Sequence, residues 1–194
     1  GSAQIAASIS GSFNKGFEYS GLIQTSPGGV WSAGGALNAS TTFAAGLGTK
    51  SAALSVGGQN ASAKTEEYNG SSWSEVNDLN TGGGNLVGTG TTEASVVYGG
   101  RPGPTALTEE FNGTNWSEVN DMIMARHSHM KLGITSEAAL AVGGNTTESG
   151  YTDNDVEDWN GTNWSAGTAL LSNAAYGSSA GTYDSGLIFK WSGS

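Results

Sequence analysis

The sequence predicts an all-β protein built from repeated four-stranded antiparallel units, on three observations. One aromatic–Asn-Gly–Trp phrase is written three times, as YNGSSW at Tyr68–Trp73, FNGTNW at Phe111–Trp116 and WNGTNW at Trp159–Trp164. Tryptophan also recurs at Trp31, Trp73, Trp116 and Trp164, with spacings of 42, 43 and 48. Between these marks no window keeps apolar residues at helical spacing for long, because glycine interrupts every one.

Four short segments fill each period, and each has the length of a strand. After the Trp comes a polar-alternating stretch (WSAGGAL, WSEVNDL, WSEVNDM, WSAGTAL), then a small-residue stretch (FAAGLGT, NLVGTGT, HMKLGIT, AYGSSAGT). An apolar run follows (AALSVGG, ASVVYGG, AALAVGG, SGLIFKW), and TEEYNG, TEEFNG or VEDWNG leads to the next Trp. A period of this size with four strands reads as one blade of a β-propeller. The small-residue strand is expected innermost, where backbones converge on the axis. The apolar run is expected second, packed between blades. Asn-Gly turns the outer hairpin because both residues tolerate positive φ, and the Trp is expected to pack between blades.

Composition narrows the function classes. The 32 glycines and the low charged fraction of 12% are joined by six Trp, six Tyr and five Phe, so the chain has the aromatics that disordered segments lack. A net charge of −10 with only seven Lys and Arg argues against a nucleic-acid groove. No apolar run reaches the roughly 20 residues of a membrane helix, and the N-terminus carries no basic-then-hydrophobic leader. With no cysteine there are no disulfides, thiolate metal sites or cysteine nucleophiles.

The order of features resembles the kelch repeat, best over Ala125–Trp164, where ARHSHMKLGITSEAALAVGG precedes VEDWNGTNW. Gly57-Gly58, Gly99-Gly100 and Gly143-Gly144 stand in register, whereas Lys190-Trp191 replaces the glycines in the last unit. The resemblance implies a kelch-like β-propeller over 13–194, after an extension at 1–12, with about four blades near 38–80, 81–123, 124–172 and 13–37 plus 173–191. In the last of these, GFEYSG at Gly16–Gly21 and GGVWSAGGAL at Gly28–Leu37 would supply the outer strands, from Phe17–Leu37, to inner ones from Asn173–Trp191, so that both termini close one blade. The rival is an incomplete ring that closes with another chain, a homo-oligomer.

Candidate chemistry is sparse. His127 and His129 stand two apart on an expected inner strand and share a face, but no third metal ligand is marked. DNDVED at Asp153–Asp158 lacks the EF-hand spacing; Asp153 and Asp155 fall in an expected inserted loop. The acid pairs Glu66-Glu67 and Glu109-Glu110 recur at one repeat position, and neighbouring strand residues face opposite ways, which does not suit a glycosidase pair. No cofactor, no metal site and no catalytic set is expected. The N-x-S/T sequons, Asn69, Asn112 and Asn160 among them, mostly coincide with the turn phrase.

Binding remains. Loops that differ between repeats share one face in kelch-like blades: QNASAK, RPGPTAL and NTTESGYTDN in one set, NAS, NTGG and IMAR in the other. A rigid scaffold with variable loops is a recognition arrangement, and the candidate binding residues are Arg101, Arg126, His127, Tyr151, Asp153 and Asp155. ISGSFNKGFEYSG followed by Gly-rich units looks like structural proteins of marine tailed phages. That resemblance implies a non-catalytic virion-surface, tail-fibre or decoration protein, in a virion or extracellular setting, engaging a host glycan or another virion protein. The alternatives are a secreted bacterial lectin or carbohydrate-active enzyme, or a designed repeat protein.

Overall fold

Glycine-punctuated runs of β-branched and aromatic residues fold here as short antiparallel strands. The computed structural model describes residues 34–147 and 152–190. The chain divides into the units Gly1–Gly34 and Gly35–Ser194, and the strands below belong to the second. The described residues form fourteen strands and no helix.

The first sheet holds β1 (Ala45–Thr49), β2 (Ala52–Val56), β3 (Thr65–Tyr68) and β4 (Trp73–Glu75). The second holds β5 (Val87–Gly90), β6 (Ser95–Tyr98), β7 (Thr108–Phe111) and β8 (Trp116–Glu118). The third holds β9 (Met130–Leu132), β10 (Ala139–Asn145), β11 (Thr152–Trp159) and β12 (Trp164–Ala166), and β13 (Ser178–Gly181) pairs with β14 (Gly186–Phe189) in a fourth. Each four-stranded sheet runs in simple chain order, every pair antiparallel.

The expected four strands per period are therefore present three times. The strands expected in Phe17–Leu37, including Trp31, lie outside the described residues as far as position 33, as do Tyr151 and Trp191. One boundary differs from expectation. In the third sheet the glycine pair does not end the strand: β10 runs on through Gly143-Gly144 to Asn145, with a register shift between Val142 and Gly144. This bulge carries pairing to Thr152 and Asp153. Asp153 and Asp155 accordingly lie in β11, not in an inserted loop.

The outer hairpins follow the sequence. Asn69, Asn112 and Asn160 each accept two backbone N–H bonds on Oδ1, from the residues two and three positions on. The next residue, Gly70, Gly113 or Gly161, takes a positive φ of 94°, 86° or 85°. The turn brings Trp73 opposite Tyr68, Trp116 opposite Phe111 and Trp164 opposite Trp159. Ring centroids in these pairs lie 5.0, 4.9 and 5.3 Å apart. Trp164 also reaches the preceding sheet, with its ring edge-on to Tyr98 and its Nε1–H donating to Thr108 Oγ1 at 3.0 Å.

Consecutive sheets pack face to face. Leu47, Leu54 and Val56 of the first meet Val97 and Trp116 of the second. Val96 and Tyr98 of the second meet Ala139, Ala141 and Trp159 of the third. Met130, Val142 and Val156 of the third meet Ile188 of the fourth. Each such aliphatic side chain removed from water contributes about 1.5–3 kcal/mol. The small-residue first strands lie side by side, β1 on β5, β5 on β9 and β9 on β13. Lys131 Nζ donates to the Gly88 carbonyl and Ser179 Oγ to the Lys131 carbonyl along this seam.

The repeated acids prove to be clamps. Glu66, Glu109 and Glu157 are buried, and each carboxylate caps backbone N–H groups of the segment that leads into its own sheet's first strand. Glu66 accepts the N–H groups of Asn38 and Ala39, Glu109 those of Asn80 and Thr81, and Glu157 those of Ile123 and Met124. Burial acts to raise the Glu66 carboxyl, but the Asn38 and Ala39 donors outweigh it and hold the group below the usual carboxylate range.

Candidate functional site at the loop mouth

Two residues before each first strand stands one residue in the left-handed conformation: Phe43 (φ 62°), Asn85 (54°), Ser128 (53°) and Tyr176 (55°). Their spacings of 42, 43 and 48 repeat those of the tryptophans. The four are stitched together along the backbone. Asn85 N–H donates to the Phe43 carbonyl at 2.9 Å, Ser128 N–H to Asn85 at 3.3 Å, and Tyr176 N–H to Ser128 at 3.0 Å.

Left-handed backbone costs a non-glycine residue roughly 1–2 kcal/mol. Strain of this sort collects at binding and switch regions and persists where the surroundings impose it. Here the imposing structure is the turn into each sheet's first strand. Phe43 is 62% and Tyr176 69% exposed, an unusual state for large aromatic rings in a strained conformation.

A second tier sits behind this arc, built from the residue after each glycine pair: Gln59, Arg101 and Asn145. Gln59 N–H donates to the Thr42 carbonyl at 2.8 Å. Arg101 exchanges two backbone bonds with Gly84, at 2.8 and 3.1 Å, and Asn145 two with His127, at 2.9 and 3.0 Å. Each second-tier residue is thus fixed against the residue that precedes an arc member. Asn145 Nδ2 also donates to the Tyr176 hydroxyl at 2.6 Å.

Phe43, Gln59, Asn60, Asn85, Arg101 and Pro102 border a cleft of about 360 Å³ at this mouth. Its floor is backbone, because Gly58 and Gly84 carry no side chain to fill it. A Cβ added to Gly84 would stand 2.6 Å from the Gly58 carbonyl oxygen, so that close approach requires glycine. The cleft offers one aromatic face, three side-chain amides and a guanidinium. Amides both donate and accept, which suits a ligand rich in hydroxyl groups.

The candidates read from sequence fall into two groups. Arg101 is half-buried and lines the cleft. Arg126 is completely buried: its guanidinium donates to Glu157 at 2.6 Å, to the Gly143 carbonyl at 2.7 Å and to the Asp155 carbonyl at 3.1 Å. It is a strut inside the third sheet and faces no cleft. His127 is buried as well, with Nδ1 2.9 Å from Ser128 Oγ, so it supports the arc from beneath. Asp153 turns its carboxylate onto the N–H groups of Asn154 and Asp155, and Asp155 enters the strut through its carbonyl.

His129 lies next to Tyr98, centroids 5.5 Å apart. Burial first, then the Arg126 and His127 charges, lower its pKa to about 3, so the ring is neutral. Among the described residues no three His, Asp or Glu side chains converge as a metal site.

The arc itself escaped sequence reading. Phe, Asn, Ser and Tyr share no side-chain type, and the signal present was positional: a constant offset from the tryptophan in each period.

No family model matches the chain, and no curated protein does either. Among solved structures it is similar to the structure of YjhT, with a TM-score of 0.60 at 10% identity, over 75% of this chain. The chain spans 57% of the length of YjhT. At that identity the likeness concerns the fold alone.

Proposed function

We propose that this chain is a non-catalytic glycan-binding β-propeller of kelch-like blades, about four per chain. The observation that carries the reading is the arc Phe43–Asn85–Ser128–Tyr176 with the cleft beside it. The repeated turn and strand positions hold the same or similar residues, whereas this one, like the loops beside it, differs in each repeat while keeping the same strained backbone.

A sugar ring presents an apolar face for Phe43 and hydroxyls for Gln59, Asn60 and Asn85. A protein ligand would call for a broader apolar surface than this narrow, amide-rimmed cleft provides. The acids a glycosidase would use are engaged elsewhere: Glu66, Glu109 and Glu157 cap backbone N–H groups. The virion-surface setting, as tail fibre or decoration, follows from the resemblance to marine tailed-phage structural proteins.

Binding to an immobilised glycan array, followed by calorimetric titration of the strongest glycan, tests this. Saturable binding without release of any sugar product is expected, and weakened at least tenfold by Phe43→Ala. Turnover of the glycan, or binding indifferent to Phe43→Ala and Asn85→Ala together, would overturn it.

A further inference from the structure

One packing rule joins each sheet to the next. On the second strands, Leu54 and Val56, Val96 and Tyr98, and Val142 point forward into the following sheet and are buried. Val97, Ala141 and Ile188 point back into the preceding one. Glycines of the following sheet leave sockets for forward-pointing leucines: a Cβ on Gly88 of β5 would stand 3.0 Å from Leu47 Cδ2, and one on Gly186 of β14 would collide with Leu132.

The series has two unmatched ends. Leu187 and Phe189 hold the register positions of Val96 and Tyr98 and point forward, yet they are 64% and 55% exposed. At the other end, Gly46 holds the register position of Gly88, and a side chain there would meet nothing within 4 Å. Gly48 and Ser55 continue the same small-residue surface. Among the described residues no comparable packing joins β13 back to β1, and the arc of backbone bonds stops at the Phe43 N–H and the Tyr176 carbonyl.

We propose that the forward face of the terminal sheet, Leu187 and Phe189, docks on the back face of the first sheet, around Gly46, of a second copy of this chain. The occupant follows from continuity: the contact is the sheet-to-sheet interface already made within the chain, continued between copies. The two ends of the described series of sheets carry its complementary halves, apolar and projecting at one, small and recessed at the other. Such a contact is heterologous and forms a closed ring only when the rotation closes. Used twice, it joins two copies into one ring of roughly eight sheets, inside the about 4–8 blades that propellers adopt.

Sedimentation of the full chain, with Gly46→Arg and Leu187→Lys variants, tests this. Gly46 opens onto empty space at an unstrained φ, so Gly46→Arg leaves the single-copy fold intact, checked by an unchanged circular dichroism spectrum. The expected results are two copies for the natural chain at micromolar concentration and one copy for either variant alone. The mixed variants are expected to recover a two-copy species, because one intact forward face still meets one intact back face. A natural chain that sediments as a single copy overturns the proposal. So does a two-copy species indifferent to both substitutions, or a mixture that stays single.

Discussion

Asn85 N–H donates to the Phe43 carbonyl at 2.9 Å with both residues in the left-handed region, although neither is glycine. The bond ties the entry of one sheet to the entry of the next. It also sets an exposed phenyl ring and an amide side by side at the cleft.

If that backbone is held for the sake of its side chain, relieving it separates stability from binding. Phe43→Gly is expected to leave stability unchanged or raise it by up to about 1 kcal/mol, as left-handed strain is traded against added unfolded-state freedom. The same variant is expected to lose glycan binding. Urea denaturation and calorimetric titration of one preparation give both numbers. A Phe43→Gly chain that binds as well as the natural one would show that the ring is not a contact.

The clamp glutamates make a second prediction. Glu109 accepts three N–H bonds, from Asn80 N, Asn80 Nδ2 and Thr81 N, each at 2.9 Å. Glu109→Gln keeps the shape but turns an amide group toward some of these donors. Hydrogen bonds to a charged group are worth about 1.5–3 kcal/mol, so a loss of about 2–3 kcal/mol is expected from urea midpoints. Glu110→Gln, one residue on and half-buried, is the control and is expected to change stability by less than about 0.5 kcal/mol.

Arg126 and Glu157 form a completely enclosed pair, and removing one partner strands the other charge. Arg126→Met is expected to cost about 3–5 kcal/mol. Because Glu157 also caps Ile123 and Met124, the double variant Arg126→Met, Glu157→Gln recovers only part of the loss. A double-mutant cycle by thermal denaturation reads the coupling.

Acid sensitivity follows from His129. Its folded pKa of about 3 is below the ordinary 6.5, so between these values the unfolded chain binds the extra proton. Stability is therefore fully present above about pH 6.5 and falls as pH is lowered toward 3. Glu66, held below its ordinary 4.5, adds a further loss in the more acidic part of this window. His129→Phe is expected to flatten the decline between pH 6.5 and 4.5 and to leave the Glu66 part intact. Denaturant midpoints across that range check it, and an unchanged slope in His129→Phe would refute the assignment.

The hairpins, the strand order and the inter-sheet role of Trp164 were legible because they depend on residue type. Asn accepts turn N–H groups, glycine turns the chain, and a large ring fills the gap between sheets. The buried role of Glu66 and Glu109 was not, since an acid pair on a strand looks the same at an edge as over a set of backbone donors. Arg126 misled for a similar reason: a lone arginine in a variable segment reads as exposed until its four acceptors are found around it. The arc residues were hidden because backbone conformation, not side-chain chemistry, is what they share. The variability at Arg101 was legible, because its place after the glycine pair is itself where the repeats differ, and that residue lines the cleft.

The most direct test of the glycan-binding account is an amide chemical-shift titration with the strongest glycan from the array. The account predicts shifts concentrated at Phe43, Gln59, Asn60, Asn85 and Arg101, extending along the arc to Ser128 and Tyr176. Shifts confined to the outer turns at Asn69, Asn112 and Asn160, or spread evenly with no change at the arc, would contradict it.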